Sequence, residues 1–226
     1  MTSILVCIYG FSSAFAEETI SADRPSVAVS ASTLRAQKVQ VETGVSIDLV
    51  DESHTLTVPT LIRYGITDNI EIRVNTPIHY LTSQNIQDLI TNTRVEGKLQ
   101  FFKSNQLKVG ALLGLLVNDD VLNADAHLLV DIAKGHSFSW MNVGVVLPSA
   151  DSSGAYPSYA VGTGVMLYKD HGVFVETAGT YQNSFGGTIE AGYIWVSPNI
   201  QIDVYVQQSI LEPKILTFAL GGAYKR

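Results

Sequence analysis

Between Thr57 and Tyr80 the sequence TVPTLIRYGITDNIEIRVNTPIHY reads as two strands of membrane-crossing length joined by a tight turn. After the turn, Ile70, Ile72, Val74, Thr76, Ile78 and Tyr80 fall on one side of a two-residue period, and Glu71, Arg73 and Asn75 fall on the other. A soluble sandwich hides its oily face and wets its polar one. A transmembrane barrel does the reverse, with apolar side chains outward and charges inward.

Charge spacing in the neighbouring strands suggests a register. With Gly65 to Asn69 as the turn, Tyr64 faces Ile70 and Arg63 faces Glu71. With Asp51 to His54 as the preceding loop, Val50 faces Thr55 and Glu42 faces Arg63, which gives one inward row of Glu42, Arg63 and Glu71. Each opposed pair contributes only about 0.2–1 kcal/mol. Slipping by one residue would turn a charge into lipid, where Arg or Lys at mid-depth costs ~2–4 kcal/mol, so the row resists slippage. An ion-pair ladder on a soluble sheet is the alternative for this row.

Asp23-Arg24-Pro25-Ser26, Gln40-Val41-Glu42-Thr43-Gly44, the run from Pro59 to Asp68 with Glu71 and Arg73, Gly192-Tyr193 and the run from Ser197 to Asp203 together carry a family resemblance. The sequence resembles the outer-membrane barrels grouped under the meta-pathway of phenol degradation, along nearly the whole mature chain. That resemblance implies a bacterial outer-membrane barrel loosely labelled a transporter, with no fixed substrate and no catalytic motif.

Composition narrows the class further. Of 226 residues 46% are hydrophobic and only 15% charged, against about 25% charged in an ordinary globular chain. Mean hydropathy is +0.19, yet no run of 18 apolar residues exists, so a membrane-spanning version must be a closed barrel. Residues 1–16, ending Ser12-Ser13-Ala14-Phe15-Ala16, read as a cleavable signal peptide. The lack of Lys or Arg before its apolar run is expected of a chain whose true start lies upstream. Cys7, the single cysteine, falls in this leader behind Val6, unlike a lipoprotein signal, and leaves the mature chain without a thiol or disulfide. A net charge of −7 with no basic tract argues against nucleic-acid binding.

Residues 17–37 read as a periplasmic lead-in or a short plug, and 38–226 as the barrel. Strand one, about Lys38 to Val50, alternates cleanly; Pro59 asks for a bulge or a local opening near the outer rim. Thr82 to Thr91 has the length of a surface loop holding one helical turn. Strand five, Leu107 to Val117, is apolar on both sides and its faces are undecided. Strand six, Ala124 to Lys134, sends Leu128, Val130 and Ile132 outward. The loop Pro148 to Pro157 is rich in turn residues. The fold class is therefore all-β: a transmembrane antiparallel up-and-down barrel of about twelve strands of ~10 residues, the length needed to cross a bilayer at a tilt. The connections TDN, KSNQ, KGH, KDH and SP are short and most others longer, as for periplasmic turns and external loops. Aromatics at strand ends are expected to form two belts: Tyr64, Phe101, Phe102, Phe138, Tyr168, Trp195 and Tyr224 at the short-turn side, and Tyr80, Tyr156, Tyr159, Tyr181 and Phe185 at the other.

The candidate site is a lumen-lining charge network of Glu42, Arg63, Glu71, Arg73, Arg94, Glu96, Lys98, Asp125, His127, Asp131, Glu176, Glu190 and Asp203. Ala160, Gly162, Gly164, Ala178, Ala219 and Gly221 supply small inward residues on the later strands, so a narrow, lopsided passage is expected. No catalytic, cofactor or metal site is expected. His127 with Asp125 or Asp131 is the local candidate for chemistry, but inward positions two apart on a strand lie ~7 Å apart, too far for a direct bond. Three functions follow: a passive channel for small molecules, apolar or aromatic ones among them; a non-conducting structural or partner-binding barrel; or an outer-membrane hydrolase dependent on His127. Partners are outer-membrane lipid and an unspecified solute, and a monomer is the expectation.

Overall fold

A computed structural model describes residues 20–23, 27–50, 53–81, 93–118, 121–149, 154–181 and 185–226. The expected signal peptide, Arg24-Pro25-Ser26 and the expected helical turn within 82–91 lie outside the described residues. Twelve strands run in order: β1 (Val39–Val50), β2 (Ser53–Thr67), β3 (Ile70–Leu81), β4 (Thr93–Lys103), β5 (Leu107–Asn118), β6 (Val121–Lys134), β7 (Ser137–Leu147), β8 (Tyr156–Met166), β9 (His171–Tyr181), β10 (Phe185–Val196), β11 (Ile200–Ser209) and β12 (Leu216–Lys225). Each pairs antiparallel with its sequence neighbours, and β12 returns to β1, so the sheet closes on itself and leaves no edge.

The alternation sets inside from outside. Val41, Ile62, Ile72, Val74, Val95 and Leu99 are exposed on the outer wall, while Glu42, Arg63, Glu71, Arg73, Glu96 and Lys98, their chain neighbours, are buried inside. Polar residues buried within a ring of exposed aliphatic ones is the arrangement a lipid solvent selects. In β5 the apolar run divides in the same way: Leu113, Leu115 and Val117 face out, and Leu112 faces in with 2% exposure.

Register differs from the sequence expectation by two residues. The turn is Asp68–Asn69, with a bulge between Gly65 and Thr67, so Tyr64 pairs with Ile72 and Arg63 with Arg73. Likewise Glu42 lies opposite Leu61, Gln40 opposite Arg63, and Val50 opposite Ser53. Moving a strand by two keeps every side chain on its face, so the hydrophobic pattern cannot distinguish these registers. Pro59 stands opposite Pro77 without a bulge. The β1–β2 ladder lapses between Thr43–Thr60 and Ser46–Thr57, as expected beside a residue without an N–H.

Two connections are tighter than expected. β5 and β6 pair up to Asn118 and Val121, and only residues 51–52 separate β1 from β2. At the short-turn end Tyr64, Phe101, Phe102, Tyr168 and Tyr224 are exposed on the outer wall. Trp195 Nε1 donates to Asp170, and His171 bonds the Tyr193 hydroxyl. Two aromatics depart from the expected belts: Phe138 pairs with buried Ala133 and so faces inward, stacked on Trp140, and Tyr156, at the long-loop end, lines the lumen cavity.

Candidate functional site

The inner wall gathers the predicted charges. Glu42, Arg63, Glu71, Arg73, Glu96, Lys98, Asp125, Asp131, Glu176, Glu190 and Asp203 are all buried; the Arg94 and His127 side chains retain 30% and 17% exposure. Because of the β1–β2 and β2–β3 registers, the Arg63 ion pairs run diagonally: Arg63 Nη1 meets Glu42 at 2.9 Å, and Arg63 Nε meets Glu71 at 2.8 Å. Arg73 pairs with Glu96 at 2.9 Å, Arg94 with Glu96 at 2.6 Å, and Arg94 with Asp125.

The directly opposed arginines 63 and 73 would repel one another across the β2–β3 ladder. Asp23, which lies ahead of the barrel in sequence, supplies the missing charge. Its Oδ2 is 2.9 Å from Arg73, 3.1 Å from Lys98 and 3.4 Å from Arg63. Burial opposes ionisation of this carboxyl, but Arg63, Lys98 and Arg73 outweigh it and hold its pKa well below the usual carboxylate range.

Asp23 belongs to a stretch whose described residues, 20–23 and 27–37, lie along the inner wall. Wall side chains recognise its backbone. Glu176 Oε1 accepts the Val27 and Ala28 N–H groups, and Asn142 both accepts from Val29 N–H and donates to Val29 O. Asp131 accepts from Ala31 N–H and the Ser30 hydroxyl, Lys98 and Arg63 donate to Ser32 O, and Glu71 accepts from Leu34 N–H. Alanine contacts complete the docking: Ala28 packs on Ala160 and Ala178, and Ala31 on Leu112 and Leu129. The small residues of β8 and β9 therefore make room for this segment and for Trp140, whose ring covers Gly162 where a Cβ would collide with it. The segment leaves at the short-turn end, where Gln37 N–H donates to Gly65 O and Ala36 N–H to Asp68.

Besides Asp23, sequence reasoning missed several participants, three of them on the wall beside the segment. Trp140 donates to Glu176, Lys108 Nζ donates to the Ser32 hydroxyl at 2.8 Å, and Asn142 binds Val29. Their signal was period-two position alone, since Trp140 and Asn142 fall on the inward register of β7. The expected separation of His127 from Asp125 is also corrected. His127 Nε2 lies 2.6 Å from Asp125 Oδ2, because the ~7 Å spacing applies to the backbone and two long side chains lean together on the concave face. Asp125 is shared with Arg94. Among the described residues the His127 ring bonds no hydroxyl that would serve as a nucleophile. Nor does any group of three His, Cys, Asp or Glu there have metal-holding geometry.

Between the segment and the long-loop end lies a cavity of about 810 Å3, bounded by Asp23, Val27 and Val29 below and by Arg94, Asp125, Tyr156, Glu190 and Tyr205 around it. A closed wall, aliphatic outside, with a charged interior and a cavity, defines a twelve-stranded barrel of the outer-membrane type.

Known structures share this architecture. The KdgM porin superposes with a TM-score of 0.62 at 10% identity, covering 81% of this chain and 98% of its own. The COG4313 outer membrane channel from Pseudomonas putida F1 gives 0.67 at 9% identity, covering 86% and 97%, and the NanC porin 0.63 at 7% identity, covering 80% and 98%. At such identities the likeness establishes the fold. No family model and no curated protein matches the sequence.

Proposed function

We propose that the protein is a bacterial outer-membrane channel for small solutes, stoppered on its short-turn side by its own residues 20–23 and 27–37. The observation that carries this reading is the pairing of a wall whose oily face points out with a lumen that keeps a cavity of about 810 Å3 above the segment. Tyr156 and Tyr205 on that cavity suit aromatic solutes as well as small polar ones. The resemblance to the phenol meta-pathway barrels and the porin-like fold support the same assignment. They also support an outer-membrane address and a cleaved leader over residues 1–16.

Purified protein in planar bilayers tests the reading, with wild type and Asp23→Asn recorded side by side. Discrete conductance steps that are more frequent or larger in Asp23→Asn are expected. Silence in both favours the second reading, a non-conducting barrel whose interior serves stability. The observation behind that alternative is the continuous ion-pair network from Glu42 to Asp125.

A further inference from the structure

The lumen is electrically one-sided. Besides the predicted set, Asp23 and Asp48 also face inward, and so does Lys108. Among the described residues the inner face then carries ten carboxylates against five Lys or Arg side chains.

Position matters as much as number. The basic groups are confined to β2, β3, β4 and β5 and are drawn into pairs. Arg63, Arg73 and Lys98 are buried among Glu42, Glu71, Glu96 and Asp23. Arg94 is the basic side chain of the network with appreciable exposure, and it sits between Glu96 and Asp125. Among the described residues, an anion entering the cavity thus meets no cation that lacks an adjacent carboxylate. On the other half of the ring, β7 to β12 together hold one Lys or Arg, Lys225 at the rim, while Glu176 and Glu190 are directly opposed and Asp203 lies on the next strand. Two buried like charges facing each other lower the potential of the space beside them.

We infer that the passage discriminates by charge and carries small cations, inorganic or organic ammonium ions, in preference to anions. This rests on the channel reading above and adds the solute class. A low-dielectric wall focuses the field of the excess carboxylates along the lumen, which raises the local concentration of counter-ions. Tyr156 and Tyr205 on the cavity wall offer ring faces to an ammonium group as it passes.

The test is a reversal-potential measurement in planar bilayers under a gradient of potassium chloride, repeated with tetramethylammonium chloride, on wild type and Asp23→Asn. Cation permeability about tenfold above chloride is expected at 0.1 M salt, falling towards unity at 1 M as the field is screened. Asp48→Asn with Glu190→Gln lowers the ratio at 0.1 M; if that pair does not assemble, the salt dependence of the parent protein decides. Current with equal or chloride-favouring permeability, or a cation preference indifferent to salt, overturns the inference and leaves the channel standing. No current in either protein overturns the channel itself.

Discussion

Asp23→Asn is the sharpest probe of how the segment is held. The substitution keeps shape and removes one charge, leaving Arg63 and Arg73 opposed with Lys98 nearby. Each cation retains a partner on the wall: Glu42 and Glu71 for Arg63, Glu96 for Arg73, and Glu71 at 3.6 Å for Lys98. The barrel therefore survives, and the loss falls on docking of the segment. Removing one partner of a buried ion pair costs ~3–5 kcal/mol. The retained wall partners place this case near the lower figure, which corresponds to a shift of about 100-fold in the docked-to-released ratio. Ala28 reports that ratio, being 3% exposed against Ala160 and Ala178. With Cys7→Ser and Ala28→Cys leaving a single thiol, labelling by a membrane-impermeant reagent at pH 7.5 is expected to accelerate by about that factor in Asp23→Asn. Equal labelling rates, with the heat-modifiable mobility of an intact barrel preserved, would refute the idea that these ion pairs hold the segment.

Acidification acts on the same group. A docked-state pKa below the usual value means that the Asp23 contribution is complete at neutral pH and fades as pH falls below about 4, the free carboxylate value. Protease accessibility of the segment is expected to be flat from pH 8 to 5 and to rise at pH 3. Gly162→Ala places a methyl group against the Trp140 ring and is expected to cost ~1–3 kcal/mol in urea unfolding, with Trp140→Leu in the same chain recovering part of it. Val143→Arg, at the middle of β7, turns a charge to the outer wall at mid-depth and is expected to cost ~2–4 kcal/mol of refolding into vesicles. A loss below about 0.5 kcal/mol there would deny that this face meets lipid.

Where one residue in two is charged or aliphatic, as in β1, β3 and β4, the sequence specifies both strand and face. β5 stayed ambiguous because Leu112 is as oily as Leu113; its inward place depends on Ala31, a partner 81 residues earlier in the chain. Register was legible only to within two residues, since that slip conserves facing, and the bulge at Gly65–Thr67 has no hydrophobic signature. The positions of the thirteen ionisable side chains could be named from periodicity. What they hold could not, because Glu176, Asp131 and Glu71 bind main-chain N–H groups, which every residue but proline carries.

Glu176 lies 149 residues after Val27, the amide it accepts. An early stretch of the chain thus completes the hydrogen bonding of a wall formed by a late one, and it enters beside β1, which joins β12 to seal the ring. Without that stretch Glu176 would keep the Trp140 indole and lose both main-chain amides, so hydrogen bonds as well as the β1–β12 seam tie the two ends of the chain together.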